Sequence, residues 1–319
     1  MAKPFASSAD LTEKKEILEV LDDGVYALTA EGDPNVGAIE GEDFLVCIEA
    51  RATPAAARDW LAKLREHTDK PVKYLVLTHY HAVRVLGASA FDAETIITSD
   101  TTLKLINERG KEDWDSEFGR MPRLFKNPEE IPGLTKPDLT FSNHMTIELG
   151  GDRGHLDLQF CGRGHTAGDI TVWHDKSKTL FAGDLVEAQA ALYTGDAFHM
   201  DWASDTLDRV KAFRSEKLVG GRGAVALGNE ACDAAVEQTR EFLNGMLSNV
   251  RAAHDNGGTL KDAFEATHKA LAPKFGHWPI FEHCLPFNVQ RLWDEFDGID
   301  WPRIWTMERD REVWDQLQD

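Results

Sequence analysis

A chain of 319 residues with 42% apolar side chains can build one large core, or a core with an addition packed on it. Its formal net charge of −20 argues against a nucleic-acid surface, which needs clustered Lys and Arg to meet phosphates. No apolar run reaches the ~18 residues of a membrane span and Met1 to Lys15 hold no signal-like core, so the sequence predicts a cytoplasmic protein with neither membrane nor nucleic-acid partners.

In chain order, residues 11–20 read as a short helix and Gly24 to Ala30 as a strand. Gly32-Asp33-Pro34-Asn35 forms a turn cluster, and Phe44 to Ile48 is the next strand, ending at Glu49. Residues 53–68 have an amphipathic helical period, with Thr53-Pro54 as N-cap and first turn and Ala57, Trp60, Leu61 and Leu64 on one face. Tyr74-Leu75-Val76-Leu77 is a continuous apolar run that suits a buried strand. Ala93 to Thr98 predicts another strand and Thr101 to Arg109 another helix. Residues 110–137 are charged and broken by four prolines, so they read as a lid or dimer-contact loop. Strand signals recur at Leu139–Phe141, Met145–Leu149, Leu156–Phe160, Ile170–Trp173 and Leu180–Phe181. Beyond about residue 228 the pattern turns helical, over 231–253, 260–271 and 289–296, stopped after the first by Asp255-Asn256-Gly257-Gly258. The division is therefore a core over 1–228 and a helical extension over 229–319, packed on that core. Cys47, Cys161, Cys232 and Cys284 show no metal or disulfide spacing and are read as buried thiols in a reducing compartment.

The chemistry concentrates in three motifs. Thr78-His79-Tyr80-His81-Ala82-Val83-Arg84 follows the strand at 74–77. Histidines at i and i+2 past a strand end can turn both imidazoles toward one ion. Gly164-His165-Thr166-Ala167-Gly168-Asp169 and Phe181-Ala182-Gly183-Asp184 follow in order, each in a loop beside a strand. Together the three resemble the metallo-β-lactamase superfamily. That resemblance implies an α/β fold, a four-layer αββα sandwich, here with a helical C-terminal appendage.

The departures from the superfamily pattern are informative. Its first motif reads His-x-His-x-Asp-His, and a second metal uses the last two positions, which here are Val83 and Arg84. The superfamily's last metal histidine lies in a Gly-His-Gly turn, and the matching place is Gly221-Arg222-Gly223. The resemblance thus implies a mononuclear centre held by His79, His81, His165 and Asp184, with one Zn²⁺ per chain, and a degenerate second site. Arg84 and Arg222 are permanent cations that either pair with Asp184 or clamp an anionic group of a small-molecule substrate. Glu49 stands where the superfamily has a supporting aspartate, so it is expected to hold an imidazole or Arg84, or to act as a catalytic acid. Tyr193 and His199, in the loop after Asp184, are candidate pocket residues.

The tail segment Phe281-Glu282-His283-Cys284-Leu285-Pro286-Phe287-Asn288, with Trp305 and the run Arg309 to Trp314, resembles the SoxH-like bacterial branch of the superfamily. His283 in it is a candidate base or extra ligand. The expected activity is hydrolysis of a small anionic ester, thioester or lactone, because a single metal favours good leaving groups. Two alternatives stand beside it. One is a sulfur dioxygenase holding Fe²⁺ on His79, His165 and Asp184; the other is a metal-free protein that binds anions through its arginines. A homodimer is compatible with the chain.

Overall fold

The computed structural model describes residues 3–318. The first sheet runs in the order β1 (Ile17–Asp22), β2 (Val25–Thr29), β3 (Val36–Glu40), β4 (Leu45–Ile48), β5 (Val72–Val76), β6 (Thr95–Ser99) and β7 (Leu139–Phe141). Its first four strands pair antiparallel and β4 to β7 pair parallel. The second sheet contains β8 (His144–Glu148), β9 (His155–Phe160), β10 (Ile170–His174), β11 (Thr179–Gly183), β12 (Lys217–Gly220) and β13 (Ala226–Leu227), with β11 and β12 parallel.

Strand alternation sorts the apolar residues into layers, since successive side chains point to opposite faces. Val46 and Ile48 of β4, Val76 of β5, Phe181 of β11 and Val219 of β12 meet in the core between the sheets. Leu45, Cys47 and Leu75 point the other way, against α1 (Pro54–Leu64), whose Trp60 and Leu64 are fully buried. Thr53 caps α1 by accepting a hydrogen bond from Ala56 N at 3.1 Å, worth about 1 kcal/mol. On the far face of the second sheet, Leu180, Ala182 and Leu218 pack against α6 (Asn229–Asp255), α7 (Leu260–Phe275) and α8 (Phe281–Phe296) through residues such as Phe242, Leu271 and Leu285. Helix, sheet, sheet and helix form the four expected layers.

The remaining helices are α2 (Ala82–Val85), α3 (Asp100–Arg120), α4 (His199–Asp201), which runs through a π-turn at Trp202–Thr206 into α5 (Leu207–Lys211), and α9 (Met307–Gln318). The extension is joined to the body at several points. Phe5 at the N-terminus meets Phe287 and Trp314, and Trp305 Nε1 donates to Gly195 O at 2.9 Å. No helix among the described residues is long and apolar enough to cross a membrane.

Three expectations are corrected. Residues 17–22 are strand β1, paired to β2, and 11–16 are irregular, so the helix read over 11–20 is absent. The β-branched and leucine residues at Ile17, Leu18 and Val20 find a hydrogen-bonding partner in β2 that a helix would forgo. Helix α3 does not stop at Arg109 but continues to Arg120, so the first part of the supposed loop over 110–137 is helical. Its charges misled because Arg109, Asp113, Glu117 and Arg120 form a buried polar face. Helix α8 starts at Phe281 rather than 289, carrying Pro286 within its first two turns.

Candidate active site

The parallel strands end at one edge, and the motif residues leave the sheets there. His79 and His81 follow β5, His165 lies between β9 and β10, and Asp184 follows β11. Parallel pairing of β11 with β12 puts Gly183 opposite Gly220, which brings Asp184 beside the turn of Gly221 and Arg222. A Cβ on Gly221 would lie 1.9 Å from Asp184 Oδ1, so this approach requires glycine. Gly183, at φ +54°, passes equally close to Thr78: its Cβ would meet Thr78 Oγ1 at 2.6 Å.

His79, His81 and His165 each offer a ring nitrogen to one point, the three atoms lying within 4.8 Å of one another. The rings are nearly perpendicular in every pair, at 90°, 82° and 86°. His79 Nδ1 bonds Thr78 Oγ1 at 2.9 Å, which leaves Nε2 as the free lone pair. That atom is buried and has no hydrogen-bond partner. His81 Nε2 bonds Asp196 Oδ2 at 3.3 Å while its Nδ1 faces His165 Nε2 at 2.9 Å. Asp184 Oδ2 completes the set, 3.7 Å from His79 Nε2 and 3.5 Å from His165 Nε2. Imidazoles with outward nitrogens held by Thr78 and Asp196 are a donor set that suits a zinc site, and the orphaned His79 Nε2 is the kind of buried atom a cation would satisfy. The residues present therefore fit a metal ion.

The electrostatics agree for most of the cluster. Burial drives the His79 imidazole well below its ordinary range, and brings His165 to about 3, against the opposing pull of Asp184. Burial would raise the Asp184 carboxyl, but Arg84, His79 and His165 outweigh it and hold it below the usual carboxylate range. His81 differs. Burial disfavours its charge, yet Asp113, the bond to Asp196, and Glu117 raise it to about 9, so a cation binding there displaces a proton.

Arg84 is fully buried. It donates to Asp184 Oδ1, to Gly221 O at 2.8 Å and to Asn35 O at 3.1 Å. It therefore plays the pairing role, and does not line the cavity that opens beside the imidazoles. That narrow cavity, with room for about one water, is lined by Arg120, Arg222, Tyr193, His283, Cys284 and Glu117, with the edges of His81, His165 and Asp184. Arg222 and Tyr193 thus line this cavity, and the extension contributes His283 and Cys284 to the wall. Burial and then the two arginines keep His283 neutral.

Two sequence candidates lie elsewhere. His199 bonds Glu295 Oε1 through Nδ1 at 3.2 Å and Thr194 Oγ1 through Nε2 at 2.8 Å. Nδ1 ties the 194–199 loop to α8, Nε2 closes the loop on itself, and His199 is not part of the cavity lining. Glu49 sits behind the His79 loop, where Oε1 accepts from Thr78 N at 3.1 Å; it supports the loop instead of reaching a substrate. Burial, partly offset by Arg84, pushes its carboxyl to about 7.

The structure also adds residues that the sequence did not single out. Asp113 and Glu117 of α3 accept from Ala82 N at 2.6 Å and Val83 N at 3.0 Å, fixing the turn that follows His81. Asp196, which Arg109 also contacts at 3.2 Å, orients His81. Glu187 is buried near Asp184 and Arg222, and burial raises its carboxyl to about 8. Spacing at 109, 113, 117 and 120 on one helical face was the available signal for α3. Nothing in the local sequence marked Asp196.

Two facing sheets, helices outside them and an imidazole cluster at the strand ends define a hydrolase-like αββα protein with a metal-ligand site. The family model described as the metallo-beta-lactamase superfamily matches residues 29–222, more than half of the chain, and the chain belongs to that superfamily. Among curated relatives, it is 21% identical over 243 residues to a linear primary-alkylsulfatase of Pseudomonas sp. (strain ATCC 19151), covering 64% of this chain and 44% of that protein. It is 23% identical over 185 residues to a type 2 metallo-beta-lactamase of Bacillus sp. (strain 170), covering 57% of this chain and 63% of the other. The matches span less than two thirds of these relatives' own lengths. Among solved structures, a metallo-beta-lactamase from Pontibacter korlensis aligns with TM-score 0.57 at 21% identity, over 72% of this chain and 99% of that one. A double mutant of the sec-alkyl sulfatase PisA1 aligns with TM-score 0.70 at 15% identity, over 89% and 50%. These two likenesses concern the fold.

Proposed function

We propose that the protein is a mononuclear metal-dependent hydrolase of a small anionic ester, thioester or lactone. The observation that carries this reading is the convergence of three perpendicular imidazoles beside Asp184, with His79 Nε2 buried and unpartnered. His79, His81, His165 and Asp184 would hold one Zn²⁺, which when bound supplies Lewis acidity and a water that ionises near neutral pH. Val83, Arg84 and Arg222 supply no ligands for a second ion, and Arg84 already neutralises the outer oxygen of Asp184.

The chain's own groups supply the proton handling. Asp184, held ionised by Arg84 on Oδ1, presents Oδ2 to the point on which His79 and His165 converge, where it would hold the metal or orient its water. Tyr193 hydroxyl is buried, unpartnered and on the cavity wall. Burial keeps that phenol protonated, so it can donate to a leaving oxygen or sulfur. His283, kept neutral by burial and the two arginines, can hydrogen-bond the substrate or water through its unpartnered Nδ1. One metal leaves the departing group without a second cation, so thioesters, lactones and activated esters rank above amides. The alkylsulfatase likeness adds sulfate esters to the anionic esters to be tried.

The dioxygenase alternative needs Fe²⁺ on His79, His165 and Asp184, but His81 lies in the same cluster, which favours the three-histidine set. Elemental analysis of protein purified without added metal separates the readings. About one zinc per chain, with metal-dependent ester or thioester cleavage, supports the hydrolase. Iron with oxygen uptake turns it into the dioxygenase, two metals refute the mononuclear site, and none after reconstitution leaves an anion-binding protein.

A further inference from the structure

Two buried arginines on the wall of the cavity beside the imidazoles keep donor atoms that no hydrogen bond of the protein uses, although Glu117 and Asp184 also line it and Arg120 lies over the Tyr193 and Phe287 rings. Arg120 and Arg222 are 2% and 4% exposed, yet Nε and Nη1 of both lack hydrogen-bond partners. Tyr193 hydroxyl and His283 Nδ1, on the same wall, are also unpartnered. Among the described residues no carboxylate lies within ion-pair distance of Arg222, and the one beside Arg120 is Asp310, 3.4 Å from Nε and already accepting from Ser116 Oγ at 2.6 Å. Glu187, the carboxylate that acts most strongly on Arg222, is not part of the cavity lining. Buried charged donors without acceptors are costly, and proteins keep them chiefly where a ligand completes them.

We propose that this cavity is an oxyanion subsite, in which Arg120 and Arg222 together bind a carboxylate or sulfate group carried by the substrate, next to the histidine cluster. The proposal rests on the hydrolase reading and deepens it by naming the anchor that positions the scissile bond. Guanidinium forks match the geometry of such groups. The cavity is narrow, with room for about one water-sized guest, so an anionic head must part its walls to enter and the rest of the substrate stays outside. Met121, Ile280 and His283 line both this cavity and an outer groove of about 350 Å³ edged by Trp278 and Phe281, so the uncharged remainder of the substrate would run outward past them. Ile280 holds a left-handed backbone, φ +59°, which is rare for a β-branched residue and recurs at ligand walls.

The test is a thermal-unfolding titration of the full-length protein as purified, with its metal content measured, using sodium sulfate and, separately, sodium formate. Wild type should show a saturable rise in Tm with at least one ion, and the better ion distinguishes a tetrahedral from a planar head. Arg222→Met and Arg120→Met should each weaken binding roughly tenfold or more, with metal content unchanged. Arg222→Lys, which keeps the charge and loses the fork, should fall between, and serves if the methionine variant does not fold. Binding equal in wild type and Arg222→Met would place the ion on the metal or the surface and overturn the subsite, as would no response in metal-loaded wild type. Turnover is not the readout. An active hydrolase blind to both ions sinks the subsite alone, whereas arginine-dependent ion binding without any hydrolysis sinks the hydrolase reading and leaves the subsite standing.

Discussion

Arg84 and Asp184 divide one carboxylate between two duties: Oδ1 accepts from the Arg84 guanidinium, while Oδ2 faces His79 and His165. The pair is fully buried, so each partner depends on the other. Replacing the cation by an apolar residue strands a carboxylate that burial would otherwise protonate. Arg84→Met should lose about 3–5 kcal/mol in urea unfolding, the usual result of removing one member of a buried pair. A loss below about 1 kcal/mol would mean that the pair contributes little.

The imidazole cluster makes a sharper demand. His165→Ala removes the nitrogen that faces both His81 and Asp184 while leaving the loop's other anchor, Thr166 to Asp169, in place. Metal content should fall to near zero and ester or thioester turnover should disappear, with the far-UV circular dichroism spectrum retained. Full turnover in this variant would remove the histidines from the mechanism.

Glu49 gives a prediction in pH. Its folded carboxyl titrates at about 7, above the unfolded value near 4.5, so the folded state holds the proton more tightly. Between those two values the unfolded chain has released a proton that the folded chain keeps, and stability falls as pH rises through the window. The difference corresponds to roughly 3 kcal/mol by pH 8. Glu49→Gln keeps an acceptor for Thr78 N and removes the titration. Its stability relative to wild type should therefore climb by about that amount from pH 4 to pH 8 in urea melts. Parallel pH profiles would show that the Glu49 carboxyl titrates alike in the folded and unfolded chain.

The Gly221 approach can be tested without touching a charged group. Gly221→Ala places a methyl against Asp184 Oδ1 and Arg84 Nη2, where neither can retreat into solvent. A stability loss of about 1–3 kcal/mol and weaker metal retention during dialysis are expected. Unchanged metal retention would show that the turn relaxes freely.

Much of this arrangement was visible in the chain, for identifiable reasons. His79, His81, His165 and Asp184 were legible because each follows a strand signal in a motif whose spacing survives translation into structure. Arg120 and Asp113 were not, because the charged, proline-broken stretch 110–137 reads as a lid or dimer-contact loop, and only the three-dimensional packing shows α3 continuing through it with a polar face turned inward. Strand β1 was missed because its strand character comes from pairing with β2 across a tight turn at Gly24, a non-local gain that local pattern does not record. His199 looked like a pocket residue by proximity to Asp184 in sequence, but the intervening loop folds its ring toward α8.

The histidines and Asp184 come from loops of the two sheets, whereas Ile280, His283 and Cys284 come from the start of α8. The ion-holding loops and part of the cavity wall are thus encoded in separate stretches of polypeptide. Grafting a different segment at 280–284 should alter which molecules are accepted while the ion-holding framework stays untouched, which makes this short stretch the natural place to diversify the protein by directed evolution.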